Sequence, residues 1–205
     1  MAVPSLRRKM GGMSSRIAII DGHPDPDPDR FVHALAVEYK RGAETAGHEV
    51  RSIEIATLDF PVLRSRQGWT DEPPVAAIAD AQQTIAWANH VAIFYPLWLG
   101  DVPALLKAFL EQVMRPGFAI REGARPGQMG LLKGRSAQIV VTMGMPAFFY
   151  RFFYGAHSVK SLERNILKLV GIAPVRHTII GSVEASPEQR EAWLEEMTGL
   201  GMGAV

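Results

Sequence analysis

The chain of 205 residues contains no cysteine, and its charges almost balance, with a formal net charge of +1. Without cysteine the protein has no disulfide framework, no thiolate metal site and no cysteine nucleophile. The near-neutral charge gives no support for nucleic-acid binding, and it argues against an electron carrier that docks by electrostatic steering. No run of about 18 apolar residues occurs, so no membrane span is expected. A cytoplasmic location fits these absences and is the one we expect.

Several enzyme motifs are also missing. The first predicted strand is not followed by the Gly-x-Gly-x-x-Gly pattern of a dinucleotide-binding Rossmann fold, and no Walker loop or Gly-x-Ser-x-Gly elbow occurs. The six histidines do not have the spacing of metal ligands. The sequence therefore gives no support for nucleotide hydrolysis, serine-hydrolase chemistry or a metal site.

The composition that remains is that of one folded domain. Apolar residues make up 47% of the chain and charged residues 21%, as in ordinary globular proteins. Three basic residues, Arg7, Arg8 and Lys9, lie near the start, but the MGGMSS that follows is not the apolar block of a signal peptide. We therefore expect a flexible tail over residues 1–15 and a single domain over residues 16–205.

Short apolar runs alternate with helical patterns along that domain. Such alternation predicts a three-layer α/β domain with a buried parallel sheet. The proline-rich segment at residues 57–74 predicts a long loop, and Asp101 is expected to cap the helix after the third strand. The predicted strands are residues 16–20, 49–56, 90–95, 137–144 and 175–183, and the predicted helices begin near residues 31, 75, 102, 158 and 187.

Unusual residues follow three of the predicted strands. The stretches are DGHPDPDPDRF after the first strand, YPLWLGDVP at the end of the third and TMGMPAFFYRFFYGAH at the end of the fourth. In a doubly wound sheet, ligands bind beyond the carboxyl ends of the strands, next to the point where the strand order reverses. If the three stretches lie at one edge of the sheet, they form one site.

In this order the three stretches resemble the flavodoxin-like NAD(P)H:quinone oxidoreductases. The most specific piece is PLWLGDVPALLK; GHP, TMG and PGFA also stand where the family has them. The resemblance extends from Arg16 over nearly the whole chain. It implies an α/β, flavodoxin-like three-layer sandwich with a five-stranded parallel sheet of order 2-1-3-4-5. It also implies a non-covalent flavin, FAD or FMN, with NAD(P)H as co-substrate.

The resemblance implies roles for individual residues. His23 corresponds to the histidine next to the flavin phosphate, and Arg30 and Phe31 fall near the phosphate-binding turn. Tyr150 and His157 match, with one inserted residue, the catalytic pair that steadies charge during hydride transfer. The other implied flavin contacts are Pro96, Leu97, Trp98, Leu99 and Gly100 in one loop and Thr142, Met143 and Gly144 in another, with Tyr150 also among the cofactor-binding residues.

Structural roles for the same residues stay open. His23 also fits a turn histidine bonded to the backbone, and Trp98 fits a tryptophan in the core or at a dimer interface. Tyr150 lies in the aromatic run FFYRFFY, where any one ring also fits a packing role. His33 and His177 are expected to be structural.

The first of the three stretches departs from the family. It has three aspartates, at positions 25, 27 and 29, where the family usually has Ser or Thr. Carboxylates repel a phosphate unless they point outward, and we expect Arg30 to offset that repulsion. The prolines between the aspartates hinder their convergence on a metal, so the stretch predicts a solvated turn.

The function implied is a flavin-dependent NAD(P)H dehydrogenase that passes hydride through bound flavin to a quinone-like acceptor. The family is usually dimeric, and the aromatic cluster at residues 148–154 offers an apolar surface for a homodimer. An alternative is a flavin-binding ancillary subunit of a potassium-efflux system, which a basic docking patch would favour. A flavodoxin-type carrier is a third interpretation, against which the charge of +1 argues. The sequence does not distinguish FMN from FAD or NADH from NADPH, and it does not identify the acceptor.

Overall fold

The computed structural model describes residues 14–125, 127–184 and 186–204. Its strands are β1 (Arg16–Asp21), β2 (Glu49–Glu54), β3 (His90–Pro96), β4 (Ser136–Thr142) and β5 (Val175–Ile180). All neighbouring strands are parallel, and their order in the sheet is β2-β1-β3-β4-β5. The predicted fold class and strand order are therefore confirmed.

Helices connect the strands and cover both faces of the sheet. They are α1 (Phe31–Thr45), α2 (Arg66–Thr70), α3 (Ala76–Trp87), α4 (Ala104–Val113), α5 (Ala147–Phe152), α6 (His157–Ser161) and α7 (Pro187–Met202). One face packs against α1 and α7, and the other packs against α3 and α4. Successive side chains of a strand point to opposite faces of the sheet. Ile17 and Ile19 therefore pack on the side of α1 and α7, and Ile20 packs on the side of α3 and α4.

Three predicted strands are longer than the observed ones. β2 ends at Glu54 because the chain enters a 3₁₀ turn over Ile55–Thr57. β4 ends at Thr142 and β5 at Ile180, where Met143 still donates a last hydrogen bond to Ile180, 2.9 Å long. Beyond that bond the two segments leave the strand geometry but stay bonded, because Ser182 N–H donates to Met145 O at 3.1 Å and Val183 N–H to Met143 O at 3.3 Å, and residues 143–144 and 181–183 lie outside the sheet.

Three helix predictions also need correction. Asp101 does not cap α4, because its carboxylate accepts the N–H of Val102 at 2.8 Å and the helix begins at Ala104. The predicted loop at residues 57–74 contains the short α2, whose N-cap Ser65 accepts a backbone N–H. The helix expected over residues 158–170 is α6 followed by a π-helical turn at Leu162–Leu167.

Most of the predicted tail, residues 1–13, lies outside the described residues. Ser14 and Ser15 are described, and both bond to the turn between α1 and β2. The Ser14 hydroxyl donates to Gly47 O at 2.7 Å, and the Ser15 N–H donates to His48 Nδ1 at 3.0 Å. Within the described ranges, no helix combines the length and the hydropathy that crossing a membrane requires.

Candidate functional site

Three loops meet at the carboxyl edge of the sheet. We call residues 22–30 the first loop, residues 97–103 the second loop and residues 143–146 the third loop. The rings of His23 and Trp98 meet edge to face with centroids 5.8 Å apart, which joins the first loop to the second. The N–H of Leu97 donates to Thr142 O at 2.7 Å, which joins the second loop to the end of β4. The predicted convergence of the three stretches is therefore present.

The first loop passes very close to β3. The N–H of Gly22 donates to Phe94 O at 2.7 Å. A Cβ atom at position 22 would lie 2.7 Å from that oxygen and 2.8 Å from a methyl carbon of Leu106, which is too close for a real contact. Only glycine lets the backbone pass here. The close passage fixes where the loop leaves β1.

The three aspartates of the first loop bond mainly within the loop itself. Prolines alternate with the aspartates. The N–H of Asp27 donates to the Asp25 carboxylate, and the N–H of Asp29 donates to the Asp27 carboxylate, at 3.1 Å each. Arg30 pairs with Asp25 at 2.7 Å and with Asp27 at 3.1 Å. The N–H of Asp27, followed by the Arg30 guanidinium, holds the pKa of the Asp25 carboxyl below its usual range. Arg30 thus pairs with two of the three carboxylates, and its single positive charge offsets part of their negative charge.

The first loop ends at an uncapped helix N-terminus. Arg30 is the N-cap of α1 and makes no side-chain capping bond. The N–H groups of Phe31 and Val32 have no hydrogen-bond acceptor in the described part of the chain. No acidic residue lies in the first turn, and Arg190 lies 4.6 Å above the Phe31 ring. Free N–H groups and the helix dipole at such an end favour an anion.

A buried cluster of polar side chains supports the first loop. Asp21 Oδ2 lies 2.5 Å from His33 Nδ1, and His33 Nε2 lies 2.9 Å from Asp25 O. His23 packs beside His33 with ring centroids 5.2 Å apart. Burial lowers the pKa of His23, and the neighbouring His33 lowers it further. Burial also lowers the pKa of His33, but hydrogen bonds to Asp21 and Asp25 more than offset it, and the net shift is upward.

The sequence prediction missed this cluster. It treated His33 as structural and gave Asp21 no role. The available signal was the acidic end of an otherwise apolar strand, RIAIID. A carboxylate at the end of a buried strand needs a partner, and His33 is that partner.

The second loop forms a tight turn with exposed amides. Trp98 and Asp101 exchange backbone hydrogen bonds of 3.0 Å, and both central residues have positive φ, 49° at Leu99 and 81° at Gly100. A leucine in this conformation is strained. The Leu99 side chain is fully exposed and Trp98 is 48% exposed. The N–H groups of Leu99 and Gly100 have no acceptor in the described ranges. Pro96 is buried in β3, and Leu97 is partly buried.

The third loop begins inside the core and reaches the surface at Gly144. Thr142 and Met143 are buried, whereas Gly144 is exposed. The N–H groups of Gly144 and Met145 make no hydrogen bond with any described residue. No heavy atom lies within 4 Å of a Cβ built at Gly144. The third loop therefore offers open space and free donors beside the second loop.

Tyr150 and His157 lie near each other in the chain but in different surroundings. Tyr150 is only 1% exposed, and its hydroxyl accepts the N–H of Val159 at 3.4 Å. His157 is exposed and begins α6, after Ala156 in the left-handed conformation with φ of 52°. The structure thus places the His157 ring at the surface and the Tyr150 hydroxyl in the core.

Exposed aromatic rings cover the segment between the third loop and α6. Phe149 and Phe153 stack with centroids 4.9 Å apart, and Phe148 and Phe152 form a second pair at 4.7 Å. Phe152 is 75% exposed and Phe153 is 72% exposed. A contiguous apolar patch of this kind is typical of a surface that binds a partner or ligand.

The residues at this edge fit a flat cofactor with an anionic end. Free amides at the start of α1 suit a phosphate, while Trp98 and the free amides of Leu99, Gly100 and Gly144 suit the polar edge of an aromatic ring system. Among the described residues, no group of three His, Asp or Glu side chains could hold a metal ion. A flavin has both required parts, so the residues present fit it.

Comparisons with known proteins agree with this geometry. A ribosyldihydronicotinamide dehydrogenase-like protein of Penicillium crustosum is 28% identical over 193 residues, covering 80% of this chain and 67% of the relative. An FMN-dependent NADH:quinone oxidoreductase of Tolumonas auensis is 25% identical, covering 82% of this chain and 86% of the relative. The solved NAD(P)H:quinone oxidoreductase from Methanothermobacter marburgensis superposes with a TM-score of 0.78 at 22% identity, covering 93% and 96% of the two chains. This last likeness supports the fold.

The family comparison covers almost the whole domain. The profile of the family described as flavodoxin-like fold matches residues 15–199. That range includes all five strands and all three loops of the candidate site. The chain therefore belongs to the flavodoxin-like fold family, to which its sequence was expected to belong.

Proposed function

We propose that this protein is a flavin-dependent oxidoreductase that transfers two electrons from NAD(P)H to a quinone-like acceptor. The reaction is NAD(P)H + H⁺ + quinone → NAD(P)⁺ + quinol. The observation that carries the proposal is the convergence of three loops with free amide donors at one edge of the sheet. The names of relatives matched over most of their length, an NADH:quinone oxidoreductase among them, support the same chemistry.

The flavin phosphate is assigned to the start of α1. The N–H groups of Phe31 and Val32 and the dipole of a helix of 15 residues favour a negative charge there. His23 and Arg30 flank this position in the proposed arrangement. FMN is the preferred form, because the Tolumonas auensis relative is named as FMN-dependent.

The flavin ring is assigned to the second and third loops. Trp98 and Leu99 supply an apolar wall, and the free amides of Leu99, Gly100 and Gly144 supply donors for the polar edge of the ring. Pro96, Thr142 and Met143 lie mostly buried beneath the loops and support them. When bound, the flavin supplies the hydride-transfer chemistry, and the protein supplies binding, orientation and charge balance.

His157 is proposed to balance charge during hydride transfer. Its ring is exposed at the start of α6, and imidazole can hold or share a proton near neutral pH. Tyr150 is proposed to position that segment, because its hydroxyl holds the N–H of Val159 two residues beyond His157. The roles of the two residues therefore differ: one acts at the site and the other supports it.

A homodimer in the cytoplasm is part of the proposal. The rings at positions 148, 149, 152 and 153 are between 45% and 75% exposed in the single chain. Burying them against a second copy removes apolar surface from water. The cytoplasm supplies NAD(P)H and does not demand disulfides, which the chain cannot form.

The proposal is tested by anaerobic reduction. Protein loaded with FMN or FAD is mixed with NADH or NADPH, and the visible flavin absorbance is followed before and after addition of benzoquinone. Bleaching by the nicotinamide and recovery with the quinone are expected. A protein that binds neither flavin, or whose bound flavin is not bleached by either nicotinamide, contradicts the proposal.

A further inference from the structure

His33 connects the end of β1 to the first loop. Its Nδ1 lies 2.5 Å from Asp21 Oδ2, and the Asp21 side chain is 8% exposed. Its Nε2 lies 2.9 Å from Asp25 O. Asp21 also accepts the backbone N–H of His23 at 3.2 Å. The pair formed by Asp21 and His33 therefore touches the backbone at two points, the N–H of His23 and the carbonyl of Asp25.

Both ring nitrogens of His33 face oxygen atoms. A carbonyl oxygen only accepts hydrogen bonds, so Nε2 carries a proton towards Asp25 O. Burial opposes a charge on this ring, but the contacts with Asp21 and Asp25 outweigh burial and raise the pKa of His33. Because its two nitrogens face a carboxylate and a carbonyl, which are both acceptors, the geometry favours an imidazolium that donates from both nitrogens.

The backbone of Asp25 and the ring of His33 both bear on the tautomer of His23. Nδ1 of His23 lies 3.1 Å from the N–H of Asp25 and 3.2 Å from the carbonyl of the same residue. It can accept from the first or donate to the second. The N–H of Asp25 points at this nitrogen, which favours the accepting form, and a protonated His33 ring 5.2 Å away disfavours a second positive charge. His23 therefore accepts at Nδ1 and carries its proton on Nε2.

We propose that His33, held by Asp21, is a positioning residue that selects the neutral Nε2–H tautomer of His23 and so keeps a hydrogen-bond donor ready for an anion. Nε2 of His23 has no hydrogen-bond partner among the described residues. Identifying the anion as the flavin phosphate rests on the proposed function. On that basis, binding of a phosphorylated flavin weakens as His33 loses its proton with rising pH.

One further charged group near His33, the carboxylate of Glu54, acts in the same direction. Glu54 at the end of β2 and Glu38 on α1 line a cavity of about 360 Å³ together with Asp21, His23 and His33. Glu54 contributes to the raised pKa of His33. Glu38 is engaged by Arg41 at 2.5 Å. Asp21, the Asp25 carbonyl and Glu54 thus favour the proton on His33, whereas the charge of Glu38 is taken up by Arg41.

The first test needs no flavin. Nitrogen-15 NMR of the imidazole rings reports the tautomer and titration of each histidine in the wild type, in His33→Gln and in the control His177→Gln, which changes an exposed histidine of β5. Gln keeps a donor for the first loop but carries no charge. We expect neutral His23 with its proton on Nε2 in the wild type, and a His23 titration at higher pH in His33→Gln, because the neighbouring positive charge is lost. The control should match the wild type.

The second test compares FMN with riboflavin, which lacks the phosphate. The dissociation constants are measured by fluorescence quenching between about pH 6 and about pH 9 for the same three proteins. The wild type should lose part of its preference for FMN as the pH rises. At a pH above the His23 titration of His33→Gln, where His23 is neutral in both proteins, this variant should have a preference about tenfold smaller than the wild type, which corresponds to about 1.4 kcal/mol. Ionisation of the FMN phosphate is common to all three proteins and cancels.

Three results overturn the inference: an Nδ1–H tautomer of His23 in the wild type, an unchanged His23 titration in His33→Gln, or an unchanged preference for FMN in that variant. If His33→Gln does not fold, the tautomer of His23 in the wild type still tests the inference. His33→Asn then takes the place of His33→Gln, because the Asn amide can still donate to Asp21. Failure of the wild type to bind any flavin refutes the proposed function, while the NMR result stands on its own.

Discussion

The first loop and the aromatic segment at residues 147–154 lie at the same edge of the sheet, but they are built in opposite ways. In the first loop, each backbone N–H that precedes Phe31 has a hydrogen-bond acceptor, and Arg30 forms ion pairs with the carboxylates of Asp25 and Asp27. In the aromatic segment, five of the eight side chains are exposed aromatic rings, Phe148, Phe149, Phe152, Phe153 and Tyr154. The first loop is thus complete without a partner, and the aromatic segment is not.

This difference indicates how the two regions serve a ligand. A loop whose own bonds fix its shape binds a small anion without paying further conformational entropy. A patch of exposed rings gains stability only when a ring system or another chain covers it. On the proposed function, the phosphate end of the site would be preorganised, whereas the ring end would be completed on binding or assembly.

The largest expected effect concerns the aromatic segment. Changing Phe152 and Phe153 together to Asp should weaken a dimer by about 3 kcal/mol or more, because aromatic residues dominate such interfaces and charges there must be desolvated. The mass in solution, measured by light scattering across a dilution series, should shift to that of one chain.

The matched control is Met202→Asp, since Met202 is 45% exposed on α7. It should keep the mass of the wild type. A wild type that is monomeric at high concentration, or a double variant that stays dimeric, would contradict the idea that this segment is completed by a second copy.

A glycine of the first loop and one of the third loop, which leads into the aromatic segment, provide the next comparison. Gly22→Ala should lower the free energy of unfolding by about 2 kcal/mol, because its Cβ would meet Phe94 O at 2.7 Å. Gly144→Ala should change it little, because nothing lies within 4 Å of the added carbon. Urea unfolding of the two variants gives both values. Equal losses would show that the two loops are packed alike.

A smaller effect is expected on the chemical step. His157→Ala should slow flavin reduction by NAD(P)H about tenfold, or about 1.4 kcal/mol, because a group that balances charge is lost. Stopped-flow absorbance measures the step directly. Tyr150→Phe should mainly lower stability, by about 1 kcal/mol, through the lost bond to Val159. If a variant that combines His157→Ala with Tyr150→Phe reduced its flavin as fast as the wild type, neither role in hydride transfer would hold.

The smallest effect concerns acid stability of the first loop. The folded pKa of Asp25 is lowered, first by the N–H of Asp27, so its stabilising contribution is present above the unfolded value of 3.8 and is lost as the pH falls through the folded value. Asp25→Asn should flatten this part of the curve of Tm against pH. Asp59→Asn, at an exposed position, should leave it unchanged. If Asp25→Asn left the curve of Tm against pH unchanged, the stabilising contribution assigned to the Asp25 carboxylate would be contradicted.

Much of the fold was predictable because it depends on local patterns. Ile17 to Ile20 form a buried run that only a strand covered on both faces can accommodate. The strand order came from the family resemblance. The end of β4 could not be located, because Met143 is buried and apolar like the strand before it, and only its partner Ile180 shows where the sheet stops.

The candidate site was predictable only in part. Its three loops follow from parallel topology, since carboxyl ends of parallel strands share one edge. The Asp21–His33 pair was missed because it joins residues 12 positions apart across a loop of alternating prolines, whose path no local pattern specifies. The buried hydroxyl of Tyr150 was likewise not visible in a run where several rings look equivalent.

The central claim is that three loops bind one flavin, and amide hydrogen exchange with and without FMN tests it most directly. Saturating FMN should slow exchange at Phe31 and Val32, at Leu99 and Gly100, and at Gly144, because their amides have no acceptor among the described residues. Protection at only one of these three places, or elsewhere on the protein, would contradict the claim.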